Sequence, residues 1–182
     1  MKPKRTKKCR ECKNPFIAFN SLAITCSPQC AIDYVRKEAH RRAKAETRKR
    51  KVALKTLSDW AKDAQKEFNA YIRERDRGLP CISCERFHQG QIHAGHYRSV
   101  GACPELRFEP LNVHGQCAPC NTHKSGNAIE YRAGLVRRIG ADKVEWLEGP
   151  HEPKKYTIDD LKEIKAHYRA LTKQLKAKAG GG

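Results

Sequence analysis

Eight of the nine cysteines in this 182-residue chain fall into four close pairs, and histidines and asparagines crowd the last of them. Cys9, Cys12, Cys26 and Cys30 read C-x2-C-x13-C-x3-C, and Cys81, Cys84, Cys117 and Cys120 form two C-x2-C knuckles 32 residues apart. A gap of two or three residues lets both thiolates of a pair reach one tetrahedral zinc ion, so each set of four predicts a structural zinc site. Four thiolates leave no open coordination position. Any chemistry must then come from "QIHAGHYR" and "LNVHGQCAPCNTHKSGN", which offer His93, His96, Asn112, His114 and Asn121. Such residues beside a knuckle are ambiguous alone, because a zinc clip also needs polar groups to satisfy its backbone. His88 and His123 are spare zinc ligands that four cysteines make unnecessary, and Cys103 reads as a small packed hydrophobe.

The elements that must position these residues are short. "QIHAGHYR" alternates as a strand, "SVGACPELRFEP" is a loop, and "LNVHGQ" returns as a second strand, after which "NTHKSG" turns helically at the zinc. A hairpin and helix clamped by metal make a small rigid cleft in which His96 on one strand would face Asn121. The fold class expected is α+β and mostly helical. Residues 1–30 form a four-cysteine finger, 31–77 a long basic helix, 78–150 the zinc-stabilised hairpin core, and 151–182 a last helix and tail. Residues 31–77 lack proline and glycine and are rich in Ala, Lys, Arg and Glu, as one long helix would be. Asp76 reads as a helix-terminating residue, Asn127 with Glu130 as a capping pair, and Thr157 as the cap of the last helix.

A formal net charge of +18 draws the chain to polyanions, nucleic acid first, since every phosphate neutralised releases counterions. Arg36, Lys37, Arg41, Arg42, Lys44, Arg48, Lys49, Arg50 and Lys51 crowd one stretch with few apolar residues, which predicts a surface that tracks phosphates. No run of some eighteen apolar residues occurs, so no membrane association is expected. Paired cysteines without a secretory leader point to a reducing cytoplasm. With 38% hydrophobic residues the cores are modest, and metal must supply part of the folding free energy.

"RERDRGLPCISC", "HAGHY" and "LNVHGQCAPCNTHK" together resemble the HNH, or His-Me finger, nucleases with zinc knuckles, over residues 74–126. The resemblance implies a ββα-metal fold with His96 as general base, Asn112 orienting it, and Asn121 binding a catalytic divalent ion, Mg2+ or Mn2+. Many members carry Asp immediately before the base, where this chain has Gly95. His93 is the nearest substitute ligand, through a bulge at the glycine that would bring both histidines to one face, and Glu105 and Glu109 are more distant ones. Arg98, Lys124 and Arg132 would hold the phosphate.

The whole chain, through its finger, its basic helix and the phrases "HAGHYRS", "PELRFE", "LNVHGQC" and "NTHKSGN", resembles the NinG proteins of lambdoid phages, also called Rap. What that implies is a recombination endonuclease in the bacterial host cytoplasm, acting on branched DNA such as Holliday junctions and D-loops. A homodimer would suit a symmetric junction. The alternative is a non-catalytic, zinc-containing nucleic-acid-binding protein.

Overall fold

A computed structural model describes residues 6–180, which divide into two compact units that part between Lys55 and Thr56. In the first, strands β1 (Thr6–Lys8) and β2 (Pro15–Ile17) form an antiparallel hairpin. Lys13, at φ 65°, turns the chain between Cys12 and β2. Asn20 Oδ1 accepts from the N–H groups of Leu22 and Ala23 at 2.9 and 2.7 Å, which folds the return segment toward Cys26. Helix α1 (Pro28–Ala53) starts at Ser27, whose hydroxyl accepts the Cys30 N–H, with Pro28 in its first turn. It buries none of its residues and spans about 39 Å at 1.5 Å per residue.

The stretch 31–77 is two helices, not one. The first ends at Ala53, and Thr56 caps the second, α2 (Leu57–Arg75): its hydroxyl accepts the Asp59 N–H while the Asp59 carboxylate accepts the Thr56 N–H. This reciprocal cap satisfies the free donors at a helix start, so the chain breaks without glycine or proline.

In the second unit, α2 lays Ala64, Phe68 and Ile72 against α5 (Ile158–Ala179), where Leu161 and Tyr168 complete a core with Phe108 and Val113. Thr157 caps α5 in a reciprocal pair with Asp160, in line with the sequence. Strands β3 (Ile92–His96) and β4 (Val113–Cys117) pair antiparallel from Ile92↔Cys117 to His96↔Val113 without a bulge. A π-helical turn (Pro119–His123) follows, then α3 (Ala128–Ile139) and α4 (Ala141–Glu148). Ile82, Leu106, Tyr131, Leu135, Val144 and Leu147 make a second core. Among the described residues no helix is long and apolar enough to cross a membrane. The fold is thus mostly helical with two small antiparallel sheets.

Candidate metal centres and the β3–β4 site

Both cysteine sets converge. In each, the four Sγ atoms lie within 4.8 Å of one another, and all are free thiols. The distances Cys12–Cys26 and Cys26–Cys30 are 3.6 Å and Cys84–Cys117 is 3.9 Å. A disulfide needs about 2.05 Å, whereas thiolates on a tetrahedral zinc at ~2.3 Å lie roughly 3.8 Å apart. The donor sets therefore fit zinc, and each could hold one ion. Burial opposes ionisation of Cys81, but backbone N–H groups of Cys117, Cys84 and Ser83 outweigh it and bring the thiol down to about 7. His88 lies 3.3 Å from Cys84 Sγ, a hydrogen bond to an atom of the four-sulfur set. Asn127 stands before α3 as expected, but in the left-handed region at φ 48°, and makes no cap. Its side chain reaches back to Cys120 Sγ at 3.9 Å.

The regular β3–β4 register sorts the candidate residues by face. Pairs Ala94↔Gly115 and His96↔Val113 share one face, and His93↔Gln116 and Gly95↔His114 the other. The His96 ring sits near Phe68 of α2, centroids 6.5 Å apart, while His93 Nδ1 lies 3.0 Å from Asn121 Nδ2. His96 and Asn121 thus approach from opposite sides of the hairpin rather than across a cleft, and because there is no glycine bulge the two histidines do not share a face.

His96 Nε2 is 3.1 Å from the carbonyl of Arg107. A carbonyl only accepts, so Nε2 carries the proton and Nδ1 is the lone-pair nitrogen, with no hydrogen-bond partner among the described residues. Burial lowers the His96 pKa, outweighing the hydrogen bond to Arg107 that works against it. Arg107 is itself held by Gln65 of α2 through a 2.8 Å bond. Asn112 is fully buried, and its side-chain hydrogen bonds go to Arg98 and Leu106, not to the His96 ring. Its Oδ1 accepts from Arg98 N at 2.7 Å, and its Nδ2 donates to the Arg98 and Leu106 carbonyls at 3.0 and 3.1 Å. With the 2.8 Å bond from Tyr97 N to Asn112 O, it fastens the chain immediately after His96.

Beside Asn121, a Cβ built on Gly95 would stand 3.1 Å from Asn121 Oδ1 and 2.2 Å from Gln116 Oε1, so that space is already taken. Glu105 and Glu109 lie elsewhere, in a recess with Glu163 and His167. Among the phosphate candidates, Arg132 is gripped by Glu148 at 2.7 and 3.0 Å, Arg98 Nε points to Cys103 Sγ at 3.4 Å, and Lys124 is exposed after the π-turn. The nine basic residues of 36–51 are all exposed on α1, where Lys37 meets Glu11, Arg41 Glu38, and Arg50 Glu46.

Three supports escape a reading of the sequence. Asp76 is buried, not a simple helix end: it accepts from Arg75 Nε at 2.6 Å and from Gly115 N at 2.7 Å. Burial works against its charge, but Arg75 and the Gly115 N–H hold the carboxyl far below the ordinary range. Arg75 also donates to the Val113 carbonyl at 2.8 Å and to His114 Nδ1 at 3.0 Å, which leaves His114 Nε2–H for the Leu111 carbonyl at 3.2 Å. His114 is a buried neutral strut whose pKa burial lowers. Tyr131 of α3 bridges the paired residues Gly95 and His114, its hydroxyl donating to Gly95 O at 2.7 Å and accepting from His114 N at 3.0 Å.

Comparison with known proteins gives one consistent result. A family model described as "Bacteriophage Lambda NinG protein" matches residues 1–178. Relatives called "Protein ninG" from Escherichia phage 933W and Escherichia phage lambda are 42% identical over 193 and 195 residues, covering 96% of this chain and 96% and 95% of theirs. The one from Salmonella phage P22 is 41% identical over 190 residues, 94% of this chain and 92% of its own. No solved structure matches.

Proposed function

We propose, from the premise that the chain belongs to the NinG family of bacteriophage proteins, that it is a divalent-metal-dependent endonuclease of HNH type acting on branched DNA. The observation that carries the reading is His96 at the end of β3, proton fixed on Nε2 by the Arg107 carbonyl and lone pair on Nδ1, one residue from a position flanked by Asn121 Oδ1.

His96 takes the proton of the attacking water at Nδ1, and burial keeps the ring neutral near pH 7 so that it can. The Arg107 carbonyl stabilises the ring as it becomes cationic, as a fixed acceptor for Nε2–H. Asn112 orients the base indirectly, by pinning the backbone of Tyr97 and Arg98. His93 accepts from Asn121 Nδ2 and so turns Asn121 Oδ1 toward Gly95, where it fits a hard divalent ion. When bound, Mg2+ or Mn2+ supplies polarisation of the phosphate and neutralises charge on the leaving oxygen. Lys124, exposed beside this turn, and the cations of α1 draw in the DNA backbone, and a homodimer would present two such sites to a symmetric junction.

The second reading, a non-catalytic zinc protein that binds DNA, is favoured by the separation of His96 and Asn121 onto opposite faces. Incubating the zinc-loaded protein with linear duplex, D-loop and four-way junction DNA, with and without Mg2+, decides between them. Metal-dependent cutting that prefers the branched forms is expected; binding without cutting in Mg2+ or Mn2+ establishes the second reading.

A further inference from the structure

We propose that Gln116 is a ligand of the catalytic divalent ion, its Oε1 standing in for the carboxylate that Gly95 lacks. The inference rests on the reading of this site as a metal-dependent nuclease centre and adds a residue to it.

Gln116 is wholly buried. Its Nε2 donates to Ser83 Oγ and to the Gly126 carbonyl, both at 2.7 Å. The carbonyl can only accept, so the amide cannot be flipped, and Oε1 is left facing the Gly95 side. There it is a buried acceptor with no hydrogen-bond partner among the described residues. Buried polar atoms are nearly always satisfied, and one that is not points to a ligand.

The position of that oxygen is what gives it a role. The point where a Cβ at residue 95 would sit is 2.2 Å from Gln116 Oε1 and 3.1 Å from Asn121 Oδ1. A side chain at 95 and this conformer of Gln116 exclude one another. Glycine at 95 thus makes room for a long side chain from the neighbouring strand, which brings an oxygen to the space beside Asn121. Two neutral amide oxygens select hard cations such as Mg2+ and Mn2+ over zinc, which is served by the thiolates nearby. Without a carboxylate the two amide oxygens would hold such an ion weakly.

The test uses the full zinc-loaded chain titrated with Mn2+ alone, free Mn2+ being followed by electron paramagnetic resonance, with zinc content measured on every sample. The parent should bind one Mn2+ beyond the zinc, and Gln116→Ala should weaken it about tenfold or more. The double variant Gly95→Asp, Gln116→Ala should return to parental affinity or exceed it, because a carboxylate then fills the vacated space. That rescue separates ligation from scaffolding, since an aspartate introduced on β3 cannot restore the bonds to Ser83 and Gly126. If Gln116→Ala loses its zinc, Gln116→Glu carries the test and should bind Mn2+ more tightly than the parent. The proposal is overturned if the parent binds no Mn2+, if Gln116→Ala binds like the parent, if the double variant stays as weak as the single one, or if, where Gln116→Glu carries the test, it binds no tighter than the parent. Junction cleavage is read separately: no cleavage alongside the expected Mn2+ pattern overturns the nuclease reading and leaves the ligand standing.

Discussion

The reaction proposed at His96 depends on which ring nitrogen holds the proton, and the Arg107 carbonyl fixes it on Nε2. His96→Ala should keep both zinc ions and junction binding within about twofold, yet cut at a rate lower by a factor of roughly 100 to 10,000, as loss of a general base does; parental cleavage by that variant would refute the assignment. Since burial lowers the pKa, the acid limb of the pH–rate profile should fall below the ordinary histidine value of about 6.5. Asp76 makes the corresponding prediction for stability. Asp76→Asn leaves Arg75 facing a neutral amide in a buried site and should cost about 3–5 kcal/mol at pH 7 in urea unfolding. The folded carboxyl titrates lower than the unfolded one, so its contribution is full above about pH 4 and is lost as pH falls toward the folded value. The stability gap between parent and variant should therefore narrow in acid, whereas a constant gap would mean that the charge is not what matters. His96, Asn112 and Asn121 stand out in the sequence through its resemblance to the HNH pattern, with Asn112 five residues before Cys117 and Asn121 directly after Cys120. Gln116 carries no such local signal, because its partners Ser83 and Gly126 are 33 and 10 residues away.

Among the elements, the cysteine spacing was a reliable guide because a metal's reach is a local constraint, and both sets do converge. The cap of α5 was legible for the same reason. The break before α2 was equally local, written as Thr56-x-x-Asp59, but the uninterrupted helix-forming composition around it hid the signal. What no local rule predicts is how distant side chains meet, as when Tyr131 reaches Gly95 across 36 residues. Helix α1 carries its own prediction. With no buried residue, its surface is available to phosphates along its length. Neutralising Arg41, Arg42, Arg48 and Arg50 together should flatten the slope of log K against log salt by up to about 4, one for each phosphate left without its cation. An unchanged slope would make the helix a solvated face.

For the molecule as a whole, the two units depend on metal unequally. Among the described residues of Met1–Lys55 the buried hydrophobic ones are Cys9 and Ala23, whereas Thr56–Gly182 has two apolar cores besides its thiol cluster. Metal analysis should find two zinc ions per chain, and Cys26→Ser should leave one, with loss of amide protection confined to the finger. Loss of both ions, or of protection across the α2–α5 core, would contradict two separate sites. The pairing of α2 with α5 also has a consequence for synthesis on the ribosome. Lys165 meets Asp63 at 2.5 Å across 102 residues, and Leu161 and Tyr168 cover the apolar stripe of α2. When α2 leaves the exit tunnel, that stripe has no partner, and the hairpin it supports lacks its backing. Contacts so far apart in sequence form late, because the intervening chain must first be made and ordered. The nascent protein therefore carries an exposed hydrophobic helix next to a run of cations, a state in which holding chaperones would engage it, and Phe68, which stands beside the His96 ring, gains its Tyr168 partner only after α5 has been translated.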